Sequence, residues 1–71
     1  MFKNLDLNRA TEFELWAIQG IGKDNAKKIV DYRNQHGPFK SWEDLTQVPG
    51  MLGIVLETLK NHGCTIGGKA A

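Results

Sequence analysis

The chain has almost nothing that would cross-link it, anchor it in a bilayer or let it catalyse. Of its 71 residues only Cys64 is a cysteine, so no disulfide can form within the chain. No apolar run approaches the ~20 residues that a membrane-spanning helix needs. Met1-Phe2-Lys3-Asn4-Leu5 carries no apolar stretch of the signal-peptide kind. A cytoplasmic protein is the expectation, with the periplasm or cell surface open only if a signal segment has been removed. His62-Gly63-Cys64 offers two metal-binding side chains and His36 a third, short of the four a structural zinc takes. Neither a metal nor a cofactor is expected, and Cys64 is read as part of an exposed tail. There is no His–acid–nucleophile set, no carboxylate pair in an apolar setting and no P-loop lysine, so the chain is not expected to be an enzyme by itself.

Charge of one sign is also scarce, the formal net value being +1. Its distribution is less even. Between residues 20 and 40, Lys23, Lys27, Lys28, Arg33 and Lys40 stand against Asp24 and Asp31, a local +3, while the rest of the chain carries −2. A positive side of this kind fits an anionic partner.

What is present is a repeat of thirty residues. Thr11-Glu12-Phe13-Glu14-Leu15, Ile18, Gly20, Ile21, Ala26 and Ile29 recur as Ser41-Trp42-Glu43-Asp44-Leu45, Val48, Gly50, Met51, Leu56 and Leu59. Each copy opens with a hydroxyl residue followed three places on by an acid (Thr11 and Glu14, Ser41 and Asp44), the pattern of a capping box. Each then predicts a short helix, a glycine turn and a second helix. Such units cannot bury their apolar faces alone and must pack on each other.

The expected fold is all-α, two antiparallel helix hairpins related by a pseudo-twofold. Residues 1–10 form an extended lead-in with Leu5 and Leu7 on one side. Residues 11–63 are the domain, with hairpins at 11–36 and 41–62, and residues 64–71 are a flexible tail. Helix two runs from Lys23 to about His36 and ends at Gly37 in the left-handed conformation. It buries Ala26, Ile29 and Val30, with the Arg33 stem extending that stripe, and pairs Asp24 with Lys28. Phe39 plugs the seam between the repeats, with Trp42 packing near it.

Glycine on both sides of Ile21 permits a very tight turn and lets another molecule approach the main chain closely. Ile21 pins the turn inward, and the unpaired N–H groups opening helix two face solvent as an anion site. Lys23 and Lys27, one turn apart, add charge on the same rim. Backbone phosphate carries no base information, so a readout built from these groups is independent of sequence.

The run from Leu5-Asp6-Leu7-Asn8 through Ile18-Gln19-Gly20-Ile21-Gly22 and Tyr32-Arg33 to Gly37-Pro38-Phe39-Lys40-Ser41 and Val48-Pro49-Gly50 closely resembles tandem helix-hairpin-helix domains of the ComEA competence-protein type. The match covers about residues 5–60. The resemblance implies sequence-nonspecific binding of double-stranded DNA, through hairpin amides across the minor groove, in the service of DNA uptake. Carried onto this chain, the contact residues are Gly20, Ile21, Gly22, Lys23 and Lys27, with Gly50 and Gly53 in the second hairpin.

Three departures stand out. The second hairpin reads Gly50-Met51-Leu52 with Gly53 one place late, and no cation follows before Lys60, which predicts a turn that keeps the fold and has lost most phosphate affinity. Changes at Leu52 and Gly53 are then expected to act chiefly on stability. Gln19 stands where such domains usually have proline. Phe13 and Trp16 share the side of helix one opposite Leu15 and Ile18, and call for a cover, either the Met1-Phe2 segment or another molecule. They are the possible interface for a protein partner or for self-association. The alternative function is therefore a protein-interaction or structural module that retains the fold with a degenerate second hairpin.

Overall fold

The computed structural model describes residues 5–70, with the backbone alone at Lys69 and Ala70. The elements are α1 (Glu12–Trp16), α2 (Gly22–His36), α3 (Trp42–Leu45), α4 (Gly53–Asn61), β1 (Thr65–Ile66) and β2 (Lys69–Ala70). The architecture is the all-α double hairpin expected, with a two-residue antiparallel ladder added after it. No helix among the described residues is long and apolar enough to cross a membrane.

Helices α1 and α3 are five and four residues long, too short to persist on local propensity, so packing must hold them. Thr11 Oγ1 accepts the Glu14 N–H at 3.1 Å and the Glu14 carboxylate accepts the Thr11 N–H at 2.8 Å, closing the first capping box. The second box does not close. Ser41 makes no side-chain cap bond, and Asp44 takes the Lys40 N–H at 2.7 Å instead. Thr11 has φ −79° but Ser41 has φ −154°, so the two caps differ in backbone conformation as well as in bonding.

Both turns are held by the same pair of backbone bonds thirty residues apart. Ile18 and Ile21 donate to Leu15 and Ile18 at 3.1 and 3.2 Å, and Val48 and Met51 donate to Leu45 and Val48 at 3.1 Å. Leu15 and Leu45, Ile18 and Val48, and Ile29 and Leu59 are accordingly buried in pairs. The repeat slips in the second helices. Ala26 is buried, but its counterpart Leu56 is half-buried and Val55 takes the inward place.

α2 ends at Gly37 with the positive φ expected, 86°, but with ψ −178°, so the chain leaves straight toward Pro38 rather than in the left-handed helical conformation. α4 ends in a Schellman motif. The Gly63 N–H donates to the Lys60 carbonyl and the Cys64 N–H to the Leu59 carbonyl, both at 3.1 Å, with Gly63 at φ 89°. That geometry turns Cys64 inward onto the core.

The expectation of an exposed tail after residue 63 is therefore corrected. Cys64, Thr65 and Ile66 are buried. Thr65 donates to the Leu5 carbonyl at 2.8 Å and accepts from the Leu7 N–H at 2.9 Å, so lead-in and C-terminal segment lie side by side. The lead-in is not extended to residue 10 either. The Asp6 carbonyl accepts the Arg9 and Ala10 N–H groups, and its carboxylate accepts the Asn8 N–H at 2.9 Å, an Asx turn that bends the chain into α1.

Two side chains fix this bend to the hairpins. Asn8 pairs both of its amide atoms with the Phe39 backbone, at 2.6 and 2.9 Å, and so holds the connector whose Phe39 fills the seam stacked on Tyr32. Arg33 Nη1 donates to the Leu7 and Ala10 carbonyls at 2.8 and 2.7 Å, which explains why a cation continues the apolar stripe of α2.

Arg33→Met keeps the stem and leaves two carbonyls without their charged donor, so a loss of about 2–3 kcal/mol is expected in urea unfolding. An unchanged midpoint would show that water replaces the guanidinium without cost. Burial pushes the Cys64 thiol up to about 11. The native chain should therefore react slowly with a thiol-directed disulfide reagent until the pH nears that value, while urea-unfolded chain reacts at once from about pH 8. Equal native and unfolded rates at neutral pH would contradict the inward placement.

Candidate nucleic-acid interface

The first turn is built so that its side chains point in and its main chain points out. Ile21 is buried and pins the loop, whereas Gly20 and Gly22 are exposed at φ 98° and 82°. No side chain caps α2, and the Asn25 side-chain amide takes the Ile21 carbonyl at 2.7 Å. Among the described residues the N–H groups of Gly20, Gly22, Lys23 and Asp24 have no acceptor. They form one outward cluster of donors at the positive end of a fifteen-residue helix. No atom lies within 4 Å of where a Cβ on Gly22 would sit, so that side of the turn is open to a ligand.

The cations are arranged differently from expectation. Lys23 Nζ lies 5.6 Å from the centre of the Trp16 ring, beside the turn. Lys27 bonds Asp31 at 3.2 Å, and that bond holds its ammonium above the usual lysine value. Both partners are exposed, so the pair is weak and the ammonium can exchange to a stronger anion. The expected Asp24–Lys28 pair is absent among the described residues. Lys28 instead reaches the other hairpin, where a Cβ on Gly50 would stand 2.8 Å from its Nζ. At the first turn a Cβ on Gly20 would meet Thr58 Cγ2 at 3.4 Å. Positions 28 and 58 are thirty apart, so each turn abuts the same place on the other repeat's long helix. The sequence placed Lys28 in a pair with Asp24 on its own helix, because the repeat shows that positions 28 and 58 correspond but not that each crosses to the opposite turn.

In the second hairpin Gly50 has φ 77°, and the Gly50, Gly53 and Ile54 N–H groups have no acceptor among the described residues. Gly53 opens α4 without a positive φ and with open space around it. Leu52 and Ile54 are 62% and 73% exposed. Neither Leu52 nor Gly53 supports the core, so the expected effect of changes there on stability has no packing contact behind it.

Phe13 and Trp16 meet edge to face at 6.1 Å and are 66% and 49% exposed. The expected lid, Met1-Phe2, lies outside the described residues. Trp42 is half-buried against the core, its indole N–H without an acceptor and Lys60 Nζ 5.8 Å from its ring. Among the described residues no group of three or more His, Cys, Asp or Glu side chains is placed to hold a metal ion.

Two short-helix hairpins with positive-φ glycine turns and outward amides define a class, and comparison agrees. The family described as helix-hairpin-helix motif matches residues 2–62, and the chain belongs to that family. It is 37% identical over 58 residues to the mouse endonuclease/exonuclease/phosphatase family domain-containing protein 1, covering 82% of this chain and 10% of that protein. It is 46% identical over 57 residues to the mouse kinesin-like protein KIF22, covering 79% of this chain and 9% of the other. To ComE operon protein 1 of Bacillus subtilis (strain 168) it is 37% identical over 57 residues, 80% of this chain and 28% of that protein. The chain thus spans about a tenth of the first two and over a quarter of the third.

The two glycines of the second hairpin should respond in opposite ways. Gly50→Ala forces a side chain into positive φ, costing about 1–2 kcal/mol, and displaces the Lys28 ammonium. Gly53→Ala sits at a helix start with room for the methyl and should be neutral or stabilising by up to about 1 kcal/mol. Urea unfolding that ranks them the other way would contradict the turn geometry.

Proposed function

We propose that the chain is a sequence-nonspecific DNA-binding module that holds the phosphates of double-stranded DNA at the minor-groove side. The observation that carries this reading is the cluster of acceptor-free N–H groups at Gly20, Gly22, Lys23 and Asp24, beside the Lys23 ammonium. An acceptor-rich anion satisfies amides that the protein leaves open, and lysine supplies the charge. The working residues are Gly20, Ile21, Gly22, Lys23 and Lys27, with Gly50 on the second hairpin. Gly53 contributes its amide alone.

The module has no chemistry of its own. What it shares with the endonuclease/exonuclease/phosphatase-named protein is a tenth of that protein's length. The likeness to ComE operon protein 1 and the ComEA-type motifs support DNA uptake as the process served, which would place the module outside the cytoplasm.

Binding to a short mixed-sequence duplex should weaken with salt, log K against log salt falling with a slope of about −2 to −4 for two to four phosphates. At physiological salt the Kd should be ~10⁻⁴ to 10⁻⁶ M and alike for unrelated sequences. Lys23→Glu should weaken every duplex equally. Fluorescence anisotropy that finds no binding at low salt would end the reading.

The exposure of Phe13 and Trp16 favours a second one, a protein-interaction module using that face. If it holds, sedimentation should show oligomers that Phe13→Ser with Trp16→Ser abolishes while the helical spectrum stays. A wild-type chain monomeric at high concentration excludes the self-association form.

A further inference from the structure

The geometry points to Lys28, on the opposite repeat, as the cation that serves the second hairpin's phosphate contact at Gly50. This rests on the reading that the hairpins bind DNA, and it changes what the second hairpin does.

Taken alone, the second hairpin has no charge to offer. Between Gly50 and Leu59 the charged residue is Glu57, and the Lys60 ammonium lies over Trp42. α2 makes up the deficit. A Cβ on Gly50 would stand 2.8 Å from Lys28 Nζ and 3.7 Å from its Cδ and Cε, so the end of the lysine lies along the glycine and occupies space that any other residue would fill. Here glycine serves two ends, the φ of 77° and the seat for the lysine.

The donors gathered at this turn are unsatisfied. The Gly50 N–H has no acceptor among the described residues, and Lys28 has no carboxylate within ion-pair distance there. Asp31, three places on, is held by Lys27 at 3.2 Å. A fixed amide and an exposed ammonium at one turn suit a ligand that only accepts hydrogen bonds and carries one negative charge per group, which a phosphodiester oxygen does.

The first turn shows the converse. Its own helix supplies Lys23, while the residue that crosses to it is Thr58, whose hydroxyl donates to the Ile54 carbonyl at 2.8 Å. One hairpin keeps its cation in its own repeat and the other borrows one, so each place that holds the duplex has a lysine beside its amides.

The test is amide NMR on the whole chain titrated with a short duplex at about 50 mM salt, alongside anisotropy. Wild type should show shifts at Gly20–Asp24 and also at Gly50 and Met51. In Lys28→Gln the Gly50 and Met51 shifts should be lost and those at Gly20–Asp24 kept. Affinity should fall about tenfold at that salt, and the salt slope should lose about 0.9. Lys28→Arg should restore both. Lys28 is exposed, so the Gln variant should melt with wild type, which circular dichroism checks. Gly50 shifts that persist in Lys28→Gln, or wild-type shifts confined to the first hairpin, overturn the proposal and leave the DNA reading standing. No shift at either hairpin, with no binding by anisotropy, overturns both.

Discussion

The Arg33 guanidinium is the contact on which the remaining architecture hangs. Helices of four and five residues have no stability of their own, so α1 must be delivered to α2 by the chain that precedes it. One nitrogen of Arg33 fastens that chain by two carbonyls, at Leu7 and Ala10. With residues 7–10 fixed, Thr11 arrives in position to cap α1, Asn8 reaches the Phe39 backbone, and Leu7 offers Thr65 an edge to pair with. Removing a half-buried charged donor from two carbonyls leaves part of their desolvation penalty behind, which makes the contact costly to lose.

Both hairpins solve one steric problem, reversing direction between two helices within a few residues while sending the main-chain donors outward. A positive φ at Gly20, Gly22 and Gly50 achieves the reversal, and an inward Ile21 or Met51 anchors it. In the first turn the reward is a set of open amides beside lysine. In the second, Leu52 replaces the later glycine, adopts an extended conformation and projects into solvent. The departure from the repeat shows at the surface and in the one-place slip of α4, while the turn bonds and the paired core positions are kept.

How much could be read beforehand follows from which interactions are local. The turns, the extent of α2, the Thr11–Glu14 cap and the inward Leu15, Ile18 and Ile29 depend on spacing within one repeat, and the sequence displays that spacing. The Ser41–Asp44 pattern looked equivalent but stays open, with a backbone conformation that composition does not encode. Cys64, Thr65 and Ile66 follow three small or polar residues and lack helical or alternating spacing, so nothing local marked them as core. Their burial depends on the Schellman turn at Gly63 meeting the lead-in sixty residues away. Lys28 was visible as a charge, but the surface it serves belongs to the other repeat.

The crossed contacts, Lys28 at Gly50 and Thr58 at Gly20, mean that neither repeat is bounded by its own residues. The two copies are complementary, one rich in cations where the other is poor. A single hairpin cut from this chain and grafted elsewhere would leave part of its own wall behind.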